Sequence, residues 1–225
     1  MSVPQREASV LIPAGEVTLA GDLELPPQPA GVVVFSHGSG SGRGSPRNRF
    51  VAAQLRKAGL ATLLLDLLTE TEDQDYAARF DIDLLTERLG YAVRFVRTYA
   101  PLREQPVGLF GASTGAASAL RVAADMRHDV GAVVSRGGRP DLTGSDLLGQ
   151  VRAPTLLIVG GLDGQVIALN ESAHSALTHC ERELVIVPGA THLFEEPGAL
   201  EEVARLASQW LTRHLLAHRV HAGPA

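Results

Sequence analysis

Three residues of this sequence could together carry out acyl transfer: Ser113 in Gly111-Ala112-Ser113-Thr114-Gly115, Asp163 in Gly160-Gly161-Leu162-Asp163, and His192 in Gly189-Ala190-Thr191-His192. A serine hydroxyl is a poor nucleophile at neutral pH and needs an adjacent base to take its proton. An imidazole can serve as that base, and a carboxylate behind it fixes the tautomer and stabilises the imidazolium. Gly-x-Ser-x-Gly is the spacing of a nucleophile elbow, a strained turn from strand to helix that lifts the serine Oγ clear of the sheet. Such a turn leaves no room for a Cβ two residues before or after the serine, which accounts for glycine at 111 and 115. Each residue has a plainer reading when taken alone. The serine pattern recurs by chance as a Gly/Ser turn, a post-strand aspartate caps a helix, and a loop histidine is simply exposed. The case for chemistry therefore depends on the elements that position them.

Those elements alternate. Ala8 to Pro13 and Glu16 to Leu25 alternate apolar and polar residues across Ala14-Gly15, which predicts an antiparallel hairpin. Gly31 to Ser36, Leu60 to Asp66, the run Val107 to Phe110 before the elbow, Val130 to Ser135, Thr155 to Val159 and Glu183 to Val187 read as strands, most of them continuously apolar. Helices are predicted between them, over Pro46 to Ala58 with Ser45 as N-cap, Asp81 to Tyr99, Ala116 to Met126, Ile167 to Leu177, and Pro197 to Leu216. Continuously apolar strands alternating with helices require a mostly parallel sheet covered on both faces. In such sheets ligands bind beyond the carboxyl ends of the strands, which is where Ser113, Asp163 and His192 all fall. The polar stretch Thr69 to Arg79 could form at most a small lid, and no cap domain is inserted. We expect one domain over 1–217 and a flexible tail over 218–225.

A tetrahedral oxyanion needs two preorganised donors. The elbow supplies the backbone N–H of Thr114, and the N–H of Ser39, flanked by glycines in His37-Gly38-Ser39-Gly40, is the expected second. The glycine-rich loop could instead cradle phosphate, but it lacks the Gly-Lys-Ser/Thr ending of a P-loop. Asp141 competes with Asp163 for the role of acid. His37, Arg136 and Arg139 are candidate substrate-binding residues, and Arg47 and Arg49 lie near the same edge. Solvated or ion-paired roles remain open for these arginines.

Composition narrows the class. The 225 residues are 45% hydrophobic and carry 20 basic against 25 acidic side chains, for a net charge of -5. That balance argues against nucleic acid or an anionic membrane as partner. The single cysteine, Cys180, permits no internal disulfide and lacks neighbours at metal-ligand spacing, so it reads as structural. Neither a cofactor nor a metal is called for. No apolar leader or spanning run is evident, which makes the cytoplasm the expected location. The closing helix is a candidate homodimer contact.

With His37-Gly38-Ser39-Gly40, Gly111-Ala112-Ser113-Thr114-Gly115, Gly161-Leu162-Asp163 and Thr191-His192-Leu193-Phe194 in place, the chain resembles the dienelactone hydrolase-like group of α/β-hydrolases over nearly its whole length. The order Ser, Asp, His along the chain is that of α/β-hydrolases. The resemblance implies an α/β-hydrolase fold of about eight mostly parallel strands with helices on both faces and a minimal lid. It also implies hydrolysis of small esters or lactones. The departure is at the apex, where dienelactone hydrolases carry cysteine and this chain carries Ser113. The expected function is a serine carboxylesterase acting on a small, short-acyl ester. A lactonase, a thioesterase, a perhydrolase and a non-catalytic ligand-binding relative are the alternatives.

Overall fold

The computed structural model describes residues 6–221. A hairpin of β1 (Arg6–Ala14) and β2 (Val17–Leu25) opens the chain. Next come β3 (Val32–Ser36), α1 (Pro46–Lys57), β4 (Ala61–Leu65), α2 (Ile82–Thr98), β5 (Val107–Ala112) and α3 (Thr114–Asp125). The remainder is β6 (Val130–Arg136), the single-turn α4 (Ser145–Leu148), β7 (Thr155–Gly160), α5 (Gly164–Ala176), β8 (Arg182–Val187) and α6 (Ala199–His221). The eight strands form one sheet in the order β1-β2-β4-β3-β5-β6-β7-β8. Pairing is antiparallel at β1/β2 and β2/β4 and parallel from β4 to β8.

Successive side chains of a strand point to opposite faces, so the sheet makes two cores. Val34, Leu63, Leu109, Val133 and Leu157 pack against α2, α3 and α5 on one face. Phe35, Leu64, Phe110, Val134 and Ile158 pack against α1 and α6 on the other. Coverage on both faces explains why β3 to β7 are buried at every position, and hence why they read as unbroken apolar runs. The edge strand β1 instead alternates, burying Ile12 and Ala14 and exposing Leu11 and Pro13.

The predicted cap of α1 forms, and α2 has one that was not predicted. The Ser45 Oγ accepts from the Asn48 N–H, with Pro46 in the first turn of α1. The Asp81 side chain accepts from the Leu84 N–H at the start of α2.

The closing helix differs from expectation at both of its ends. The closing helix starts at Ala199 and continues to His221, so 218–221 are helical; the rest of the expected tail, 222–225, lies outside the described residues. The stop signals Gly223 and Pro224 come only after this point, so nothing in the sequence ends the helix at Leu216. The segment 69–80 folds into two short turns, Glu72–Gln74 and Ala78–Phe80. It is tied down by Glu72, which accepts from the Thr69 N–H and from Arg88. No helix among the described residues is long and apolar enough to cross a membrane.

Candidate active site

Ser113 sits between β5 and α3 with φ 51° and ψ -121°. A positive φ on a residue with a Cβ is strained and must be imposed by the surroundings. Here the Ser113 N–H donates to the Arg136 carbonyl (3.2 Å), while the Ser113 carbonyl accepts from the N–H groups of Ala116 (3.1 Å) and Arg139 (3.0 Å). The flanking glycines are needed because the helix folds back on the strand. A Cβ on Gly115 would lie 2.2 Å from the Ser36 carbonyl oxygen, and one on Gly111 would lie 2.5 Å from the Ala116 Cα.

Asp163 and His192 meet. The loops after β7 and β8 are joined by hydrogen bonds from Gly161 N–H to Val187 O (2.8 Å) and from Leu162 N–H to Ala190 O (2.9 Å). The imidazole Nδ1 of His192 then lies 2.7 Å from Asp163 Oδ2. Although Asp163 occupies the N-cap position of α5, its side chain makes no capping bond, so the carboxylate is committed to the imidazole. Gly137, with φ 52°, underlies the ring; a Cβ there would be 3.4 Å from His192 Nδ1 and Cε1. The histidine loop is anchored by Phe194, fully buried two residues on and itself held at φ 55°. Glu196 Oε2 accepts from the Thr191 N–H in the same loop. With Nδ1 turned to Asp163, Nε2 is the nitrogen available to Ser113, and both residues line one cavity of about 250 Å³. A larger recess of about 570 Å³ shares Ser39, Ser41, Ser45 and Arg47 with it and extends to Asp66, Glu70 and Asp73.

Ser39 and Thr114 adjoin each other, through a bond the sequence did not show. The Ser39 N–H donates to Thr114 Oγ1 at 2.9 Å. That donor is therefore occupied by a neighbouring hydroxyl. The Thr114 N–H is the first of α3, a position with no acceptor inside the helix.

The other expected residues separate. His37 lines the larger recess, yet its ring is engaged by the backbone: Nε2 accepts from the Leu67 N–H at 3.0 Å, which leaves Nδ1 to donate to the Gly38 carbonyl at 3.0 Å. It ties the Ser39 loop to the end of β4 and is not free to bind substrate. Burial holds its pKa below the ordinary imidazole value despite the opposing fields of Asp66 and Asp73. Its folded pKa thus lies below the unfolded one, so this group's contribution to stability is complete above the unfolded pKa and is lost as pH falls towards the folded one. The slope there reaches about 1.4 kcal/mol per pH unit. We expect the melting temperature to fall between pH 7.5 and 5.5. His214, also shifted down by burial, adds to that fall. His37→Gln should melt lower at pH 7.5 and lose less on acidification; an undiminished pH dependence in the variant would contradict this role.

Arg139 forms a two-pronged ion pair with Asp141 (2.8 and 2.7 Å), which raises its pKa and removes both residues from contention. Asp141 is thus a partner of Arg139 and not of His192. Arg49 is turned to Asp22 and the Arg43 carbonyl. Cys180 lies at the amino end of β8, the opposite edge from Ser113, with its thiol pKa raised by burial. Only Arg136 of the three expected substrate-binding residues lines the cavity with Ser113 and His192, and Arg47 joins it there.

Solved structures share this arrangement of elements. A dienelactone hydrolase from Anabaena variabilis is 52% identical and superposes with a TM-score of 0.91 over 94% of this chain and 99% of its own. Est1E from Butyrivibrio proteoclasticus, only 15% identical, shares the fold with a TM-score of 0.78 over 92% of this chain and 98% of its own. Relatives from two Mycobacterium tuberculosis strains, provisionally named phosphoribosyl transferases, are 55% identical over 212 residues. Those residues are 94% of this chain but 47% of the relatives, so the chain spans about half the length of the curated relatives it matches. The model of the dienelactone hydrolase family matches residues 19–215. On that match the chain belongs to the dienelactone hydrolase family, with the α/β-hydrolase fold.

Proposed function

We propose that this chain is a serine hydrolase of small carboxylic esters, working through an acyl-enzyme. The observation that carries the reading is the 2.7 Å contact between His192 Nδ1 and Asp163, in a cavity shared with Ser113 on its strained turn. Ser113 Oγ attacks the ester carbonyl carbon while its proton passes to His192 Nε2, and Asp163 stabilises the imidazolium. The carbonyl oxygen becomes the oxyanion and accepts from the N–H groups of Thr114 and Ser39, displacing the Thr114 hydroxyl from the latter. The C–O bond to the alcohol then breaks, and His192 returns the proton to the departing oxygen. Water enters, loses a proton to His192 and attacks the acyl carbon. Collapse of the second tetrahedral species releases the carboxylic acid and restores Ser113. No cofactor is consumed at any step.

A cavity of about 250 Å³ suits a short acyl group. We expect labelling of the protein by a fluorophosphonate probe, turnover of p-nitrophenyl acetate, and slower turnover of the octanoate. A protein that neither takes up the probe nor hydrolyses any of a panel of short esters, lactones and thioesters is not a serine hydrolase.

A further inference from the structure

Arg136 is an anomaly of the site. It is only 7% exposed, and no carboxylate pairs with it among the described residues. Two of its nitrogens, Nε and Nη1, are buried without a hydrogen-bond partner. Burial and the nearby Arg47 guanidinium lower its pKa to about 10, which still leaves it cationic at neutral pH. Buried charges are ordinarily paired, and an unpaired one is costly. The neighbouring groups deepen the anomaly. Arg47 lines the same cavity, its Nη1 on Glu195 at 2.9 Å but its Nε buried and unpartnered. The first turn of α1 lines it through Ser45, Arg47 and Asn48, and a helix start favours anions. Ser41 is on the same wall.

We propose that Arg136, Arg47 and the first turn of α1 form a phosphate-binding subsite beside Ser113, so that the ester hydrolysed carries a phosphate monoester elsewhere in the molecule. The inference rests on the ester-hydrolase reading of the same cavity. The phosphate is a handle that stays intact; the bond broken is the carboxylic ester C–O bond. Two guanidinium groups and the serine hydroxyls offer donors in several directions, and the α1 start adds its positive dipole end. That number suits three phosphate oxygens better than the two of a carboxylate.

The test is steady-state hydrolysis of three matched esters: acetylglycerol, acetylglycerol phosphate and acetylglycerate. We expect the phosphorylated ester to exceed the neutral one in kcat/KM by at least ~10-fold, chiefly through KM, with the carboxylate intermediate. Arg136→Gln and Arg47→Gln should each shrink that ratio within the same protein, and Arg136→Lys should restore part of it. If Arg136→Gln does not fold, the part-exposed Arg47→Gln carries the comparison. A wild-type ratio near one, a ratio unchanged in the variants, or a preference for the carboxylate overturns the subsite while leaving the hydrolase reading intact. If none of the three esters is turned over, calorimetry of glycerol phosphate on Ser113→Ala decides the matter: binding weakened by Arg47→Gln supports the subsite, and no binding overturns it.

Discussion

Replacing Ser113 by alanine should lower kcat for p-nitrophenyl acetate by on the order of 10⁵- to 10⁶-fold, the scale of loss when an activated serine is removed from its unit. Replacing it by glycine should be equally destructive, because both variants lack the hydroxyl that forms the acyl-enzyme in the proposed mechanism. The two differ in stability, and the difference reads out the strain at the elbow. Ser113 is held at φ 51° and ψ -121° by backbone hydrogen bonds to Arg136, Ala116 and Arg139. A residue with a Cβ pays of order 1–3 kcal/mol to sit in such a region, and glycine does not. Alanine inherits the strain, so its melting temperature should match that of the parent. Glycine relieves it at the expense of a more flexible unfolded chain, a loss of about 0.5–1 kcal/mol. The net gain should be about 1 kcal/mol, or roughly 2–4 °C for a chain of this size. Turnover retained by either variant, or a glycine variant melting below the alanine one, would show that the turn is not a strained catalytic apex.

The sheet and the convergence of Ser113, Asp163 and His192 were legible because their signals are local: apolar runs mark buried parallel strands, and glycines mark the turns at their carboxyl ends. What escaped the sequence was set by partners distant along the chain or by burial. His37 reads as a polar group next to a glycine loop, but the Leu67 N–H, which occupies its Nε2, is thirty residues away. Arg136 and Arg139 sit three residues apart and look alike. Arg139 begins a tight turn and finds Asp141 two residues on, a local pairing that the order Arg-Pro-Asp could have suggested. Arg136 ends β6, where the sheet buries its Nε and Nη1 with no acceptor among the described residues. Thr114 was expected through its backbone, and the part its hydroxyl plays on Ser39 depends on a loop and a helix start 75 residues apart.

The choice between two acids yields the second large effect. Asp163→Asn keeps the size of the side chain but replaces the acceptor facing His192 Nδ1 with a carboxamide. The carboxamide can turn its NH₂ to that nitrogen and stabilise the tautomer with the proton on Nε2, the wrong one for accepting from Ser113. Loss of the negative charge also leaves the imidazolium of each tetrahedral step without a counter-ion. In the serine protease triad the same exchange lowers kcat by about 10⁴-fold, and a fall of that order is expected here. Asp141→Asn is the matched control. It breaks the paired side-chain contacts to Arg139 at 2.8 and 2.7 Å, which are part-exposed and outside the cavity lining, while the Arg139 N–H keeps its bond to the Ser113 carbonyl, so kcat should change by less than about fivefold. Stability separates the variants in a second way. Asp163 makes no capping bond to α5, so its replacement should not unravel that helix, and lost activity with an unchanged melting curve is the expected signature. If Asp141→Asn were the inactive variant and Asp163→Asn the active one, the His192 partner seen here would not be the one used in turnover.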